Sequence, residues 1–144
     1  MIPSSVGATL IKRFEQFRPD AYRPTPTDPP TIGWGTTGPD IVMGMHWTLA
    51  QANARFDSDL AKFAQGVTDA IGSAPTTQNE FDALVSFAYN VGVHALEGST
   101  LLGLHLAGDF TAAADQFRFW RTAKHVVLRG LVRRRAAEAA LYRT

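Results

Sequence analysis

Glu15 ends an amphipathic segment, Phe14-Glu15-Gln16-Phe17, and a second acid, Asp28, stands in the proline-broken run Pro26-Thr27-Asp28-Pro29-Pro30. Thr31 follows, and then the Gly-x-Gly turn Gly33-Trp34-Gly35. Two carboxyl groups across a sugar-sized gap, one protonated and one charged, suit glycosidic-bond cleavage, and a hydroxyl beside the second can fix a water. Aromatic bulk from Phe14 and Phe17 would partly desolvate Glu15 and favour its neutral, proton-donating form. The residues alone leave plainer readings open. Glu15 also fits an exposed helical glutamate paired with Lys12 or Arg18, and Asp28 a turn acid bonding local amides. Asp20 is a second local acid after Pro19, and Thr31 at a strand start needs no functional reason.

These groups need elements to hold them. Ser5 is expected to cap a first helix whose apolar stripe is Val6, Leu10, Phe14 and Phe17, with Pro19 as its stop. Residues 20–46 carry prolines and glycines that no helix tolerates, so Thr31-Ile32-Gly33-Trp34 reads as part of a small β-region. Thr48 and Gln51 form a capping box for a second helix with Ala52, Phe56, Leu60 and Phe63 inward. Thr77 and Glu80 open a third, with Phe81, Leu84, Val85, Ala88 and Val91 at helical spacing. Ser99-Thr100 starts a short helix through Leu106, Gly108-Asp109 turns the chain, and residues 110–117 are helical again. A last helix is expected from Leu131 to Tyr142, its apolar set being Leu131, Val132, Ala136 and Leu141. The fold class is therefore α+β and mostly helical, with one small N-terminal β-region.

Composition narrows the function classes. The 144 residues, 45% hydrophobic and 19% charged, fit one domain over residues 1–144. There is no cysteine, hence no disulfide framework or thiol chemistry. No apolar run is long enough to cross a bilayer and no charged-then-apolar leader opens the chain, so a soluble, cytoplasmically made protein without a membrane anchor is expected. His46, His94, His105 and His125 show no metal-ligand spacing, so neither metal nor cofactor is expected. Net charge is +1, but residues 117–144 hold eight basic residues against Glu138, a net of +7, which leaves −6 for residues 1–116. A basic end suits a polyanion such as nucleic acid or a wall polymer, or simply a solvated helix face with arginines near its C-terminus. No recognition motif with interleaved aromatics supports nucleic acid.

Four ordered blocks point further. Glu15 through Tyr22, then Thr31-Ile32-Gly33-Trp34-Gly35-Thr36-Thr37-Gly38, then Phe81 through Gly92, then Ser99-Thr100-Leu101-Leu102 with Gly130-Leu131-Val132-Arg133-Arg134-Arg135-Ala136-Ala137-Glu138, follow one another along the chain. On these blocks the chain resembles the phage-type lysozymes, the muramidase endolysins of glycoside hydrolase family 24, from about Ile11 to Tyr142. The resemblance implies two lobes joined by a long central helix. It also implies cleavage of the β-1,4 bond between N-acetylmuramic acid and N-acetylglucosamine in peptidoglycan glycan strands. Glu15 matches the family's catalytic acid and Thr31 the threonine that helps place the attacking water. Asn90 belongs to the central-helix block, and Ser99 and Thr100 match a helix start lining the cleft. Trp34 sits nearest the site, as a sugar platform or a packing residue. A monomer is expected, held in the host cytoplasm until a separate pore opens the membrane.

Two departures stand out. Where the family has Asp or Cys nine residues after its acid, this chain has Pro24, and Thr31 lies one residue later than the pattern. Asp28 is the carboxylate available to take the vacated role. Thr36 replaces the family's usual histidine, so a hydrogen bond near Glu15 is remade or lost. The missing acid keeps two rivals in play: a lytic transglycosylase, which needs one acid and no positioned water, and a catalytically weak wall-binding relative.

Overall fold

A computed structural model describes residues 1–144. Helix α1 (Ser5–Glu15) is capped by Ser4 rather than Ser5, its Oγ accepting the Val6 amide at 3.2 Å. The Ser4 amide donates to Asp82 Oδ1 at 2.9 Å and the Ser4 hydroxyl donates to Asp82 Oδ2, which ties the start of α1 to a core helix. The buried face of α1 is Gly7 and Ile11, whereas Val6 of the expected stripe is 54% exposed. The reason is close backbone approach: a Cβ at Gly7 would lie 2.8 Å from Asp82 Cγ. The stop is not Pro19 either. Gln16 takes a left-handed conformation (φ 59°), its amide donates back to the Lys12 carbonyl at 2.9 Å, and the chain turns away one residue after Glu15.

Pro19 instead lies in β1 (Arg18–Tyr22), where its carbonyl accepts the Trp47 amide at 2.8 Å. Strand β1 runs antiparallel to β2 (Thr31–Gly33), with Arg18 opposite Gly33, Tyr22 opposite Thr31 and an irregularity between. Bridges from Asp20 to His46 and from Ile32 to Thr36 complete this small lobe.

Helix α2 (Leu49–Ile71), with its Thr48–Gln51 capping box, is the longest element. Its inward face is Ala52, Phe56, Leu60, Ala64, Val67 and Ile71, and it runs from β2 to the larger lobe. Helix α3 (Gln78–Val91) begins at the Thr77–Glu80 box and is buried without a break from Glu80 to Ala88, with α1, α2 and α7 around it. The Phe81–Gly92 block thus sits on the helix at the middle of the larger lobe, while the joining helix is α2. Helices α4 (Val93–Glu97), α5 (Thr100–Leu106) and α6 (Phe110–Gln116) and a 3-10 turn at Phe117–Phe119 follow. No helix is long and apolar enough to cross a membrane.

The C-terminal region departs most from expectation. A hairpin of β3 (Thr122–Ala123) and β4 (Val126–Val127) precedes α7 (Arg129–Arg143). Its two turn residues, Lys124 (φ 50°) and His125 (φ 66°), occupy positions that favour glycine or asparagine, so no turn signal announces it. Helix α7 does not bury the expected apolar set. It buries Arg134, Arg135, Glu138, Ala139 and Tyr142, while Val132 is 43% exposed. A solvated arginine face is therefore wrong for Arg134 and Arg135, which find buried carboxylate partners.

Candidate active site

Glu15 ends α1 at the junction between the lobes, its side chain 19% exposed. Its partner is neither Lys12 nor Arg18: Arg134 Nη1, from α7, donates to Glu15 Oε1 at 2.6 Å. The apolar setting expected from Phe14 and Phe17 is thus displaced by a charge-assisted contact from far along the chain. The other two arms of Arg134 are also committed, Nη2 donating to the Ser86 carbonyl at 3.1 Å and Nε to Glu138 Oε2 at 3.4 Å. Lys12 turns instead to Asn53 Oδ1, at 3.1 Å.

The Gly-x-Gly turn supplies the facing wall. Gly35 has φ 76°, and a Cβ there would overlap Glu15 Oε2, so only glycine lets this backbone meet the carboxyl group. Tyr89, from α3, donates to the Trp34 carbonyl at 2.6 Å and so ties the turn to the larger lobe. Burial, and then the negative charge of Glu15, push the Tyr89 hydroxyl pKa up, so it stays a neutral donor.

Open space lies on both sides of this junction. A cavity of about 690 Å³ is lined by Glu15, Asn90, Leu128, Gly130, Arg133 and Arg134, among others. A second, of about 410 Å³, is bordered by Gly35, Thr36, Arg55, Asp59, Lys62 and Tyr89. Glu15 lines the first, and Gly35, packed against Glu15, borders the second.

The other sequence-derived residues divide. Asn90 is exposed and lines the cavity with Glu15. Thr31 is buried in β2, its hydroxyl donating to the Pro29 carbonyl at 3.2 Å and leaving its oxygen lone pairs to accept from water. Asp28 lies on the loop between β1 and β2, 3.8 Å from Lys124 Nζ, and its carbonyl accepts from Arg23 Nη1 at 2.8 Å. Trp34 is half-buried between Phe17 and Lys12, with its indole N–H donated to Asn53 Oδ1 at 2.8 Å, as a packing residue would be. Ser99 caps α5, accepting the Leu102 amide at 3.0 Å and donating to the Leu96 carbonyl at 2.7 Å. Neither Ser99 nor Thr100 lines the cavity beside Glu15. Thr36 is buried, and its hydroxyl makes no hydrogen bond to Glu15. Asp20 is exposed and paired with His46 at 2.8 Å.

Sequence reasoning missed Arg134, Gly35 and Tyr89 as parts of this site. The Arg133-Arg134-Arg135 run was the available signal, read there only as part of a basic end suited to a polyanion or to a solvated helix face.

Known proteins agree with this architecture. The phage lysozyme family model matches residues 12–138. The endolysin of Bacillus phage B103 is 42% identical over 142 residues, covering 98% of this chain and 54% of that protein. The endolysin of Salmonella phage P22 is 39% identical over 127 residues, covering 83% of this chain and 84% of that one. The chain spans about half the length of the first curated relatives it matches. Among solved structures, the endolysin from Escherichia coli O157:H7 phage FAHEc1 superposes with TM-score 0.88 at 41% identity, covering 99% of this chain and 93% of that one. The muramidase domain of SpmX from Asticaccaulis excentricus does so with TM-score 0.89 at 36% identity, covering 98% and 97%. By family match, sequence and fold, the chain belongs to the phage lysozyme family.

Proposed function

We propose that residues 1–144 act as one catalytic unit, a muramidase that hydrolyses the β-1,4 bond between N-acetylmuramic acid and N-acetylglucosamine in peptidoglycan. The observation that carries this reading is Glu15 at the junction of the lobes, clamped by Arg134, faced by Gly35 and lining a cavity of about 690 Å³. Glu15 protonates the leaving glycosidic oxygen, and Arg134 stabilises the carboxylate left behind. Thr31 accepts a hydrogen bond from the attacking water, and Asp28 is the carboxylate nearest in sequence to assist it. Asn90, which lines the cavity with Glu15, contacts the glycan. All of these groups come from one chain, so a monomer suffices. The protein reaches the wall from the host cytoplasm once the membrane is permeabilised.

Release of muropeptides from purified peptidoglycan tests the assignment. Glu15→Gln should lower the rate by about 10²-fold or more. Asp28→Asn within a few-fold of wild type would remove Asp28 from the mechanism. Products with reducing ends support hydrolysis, whereas 1,6-anhydro ends would make the protein a transglycosylase. A wall-binding relative would bind without releasing either.

A further inference from the structure

Beneath the Glu15–Arg134 pair lies a charged cluster that the reading above does not use. Glu138, one turn beyond Arg134 on α7, is fully buried. Ser86, from α3, donates its hydroxyl to Glu138 Oε2 at 2.6 Å. Arg135 Nη2 donates to the same oxygen at 3.1 Å, and Arg135 Nε lies 2.5 Å from Oε1. The Arg135 guanidinium is itself buried, 5.1 Å from the centre of the Phe87 ring. Burial pushes Glu138 up and Arg135 down in pKa, each opposed by the attraction between them.

Stability alone gives little reason for this arrangement. Buried ion pairs are often no better for stability than apolar groups of the same volume. Their geometry does explain them. The Arg134 fork reaches Glu15 with one arm and is held from behind by Glu138 and the Ser86 carbonyl with the others. Swinging the fork away from Glu15 would break both rear contacts. Glu138 also shares the guanidinium charge that Arg134 would otherwise direct wholly at Glu15.

We infer that Glu138 is a positioning residue, which acts through Arg134 to hold Glu15 in place and to divide the positive charge that Glu15 meets. The inference rests on Glu15 being the proton donor. The charged and titratable groups around Glu15 are Arg134, Arg133 and Arg135 from α7, Tyr89 from α3 and Arg13 from its own helix. Glu138 is the acid on α7 that offsets those arginines.

Glu138→Gln leaves the arginine charge undivided, so the protonated Glu15 needed for catalysis becomes scarcer at a given pH. The alkaline limb of the kcat profile on solubilised peptidoglycan should move down by about one pH unit, with kcat at pH 7 falling about tenfold and KM within about twofold. Glu138→Asp, which keeps the charge, should keep the limb. Because Glu138→Gln strands buried guanidiniums and is prone to unfold, Ser86→Ala gives a second reading. It removes the donor that holds Glu138 Oε2 beside Arg134 and should lower kcat at pH 7 by a smaller amount, with KM within about twofold. A folded Glu138→Gln whose limb stays put or moves up overturns the inference, even if its melting temperature falls. So does an unchanged kcat in Ser86→Ala when Glu138→Gln does not fold. Glu15→Gln measured alongside separates the two levels. Retained activity there overturns the proton-donor reading and this one together, whereas a dead Glu15→Gln beside an unmoved limb overturns this one alone.

Discussion

Arg134 Nη1 stands 2.6 Å from Glu15 Oε1, joining the last residue of α1 to α7 across 119 positions of sequence. Arg134 is 4% exposed at its side chain and Glu15 19%, so water screens this pair far less than a surface ion pair. The contact places the end of α1, and with it the proposed proton donor, against the larger lobe.

Arg134→Lys keeps the charge and gives up the fork. One ammonium group cannot serve Glu15, the Ser86 carbonyl and Glu138 in the same geometry. We expect kcat to fall about tenfold and stability by about 1–3 kcal/mol, read from muropeptide release and a thermal melt. Full activity in this variant would show that charge alone suffices.

Gly35→Ala adds a methyl group where Glu15 Oε2 already sits and forces alanine to φ 76°. The strain costs about 1–3 kcal/mol, and the carboxyl group must move. Activity should drop by about 10²-fold while the protein remains folded at 25 °C, because a small displacement of a proton donor is enough. A rate within threefold of wild type would contradict the close approach.

His105 makes stability depend on pH. It is buried, bonded through Nε2 to Thr76 Oγ1 at 2.8 Å and through Nδ1 to the Tyr142 hydroxyl at 2.5 Å. Burial lowers its pKa in the folded protein, against the pull of Glu80. The unfolded chain therefore binds more protons below the ordinary histidine value of about 6.5. Its contribution is complete above that value and is lost as pH falls from there toward the folded pKa. Melting temperature should fall between pH 7.5 and 5, and His105→Gln should flatten that slope. An equal slope in both proteins would exclude His105 as its source.

Lys124 sits at φ 50° in the β3–β4 turn, with its ammonium donating to Thr25 Oγ1 at 2.7 Å and to Thr27, and lying near Asp28. These exposed contacts are worth at most about 1 kcal/mol, whereas a non-glycine left-handed residue costs roughly 1–2 kcal/mol. Lys124→Gly should therefore raise stability by up to about 1 kcal/mol in chemical denaturation. A loss of that size would mean that the contact to the β1–β2 loop outweighs the backbone strain.

Local chemistry made much of this fold legible. The Thr48–Gln51 and Thr77–Glu80 boxes announce α2 and α3 because capping is settled within four residues. Ser99 before α5 and Asp109 before α6 act in the same way. Periodicity was misleading where neighbours override it. In α1 the contact face is set by Gly7 against Asp82, and in α7 charged side chains occupy the interior because they find partners there. The β3–β4 hairpin was illegible because its turn lacks the residues that normally mark one.

Taken alone, then, the sequence determined the order of the helices, the small β-region and the block of residues that identifies Glu15 as the acid to watch. Those features depend on backbone propensity, capping and motif order, all of which act within a few residues. Only the tertiary structure decided that Glu15 is clamped by Arg134, that Gly35 must be glycine because a carboxylate fills its Cβ position, and that Arg135 and Glu138 lie buried beneath. A charge is tolerable inside a protein only beside its counter-charge, and here α7 supplies Glu138 to its own arginines while Glu15 and Ser86 come to them from distant stretches of chain.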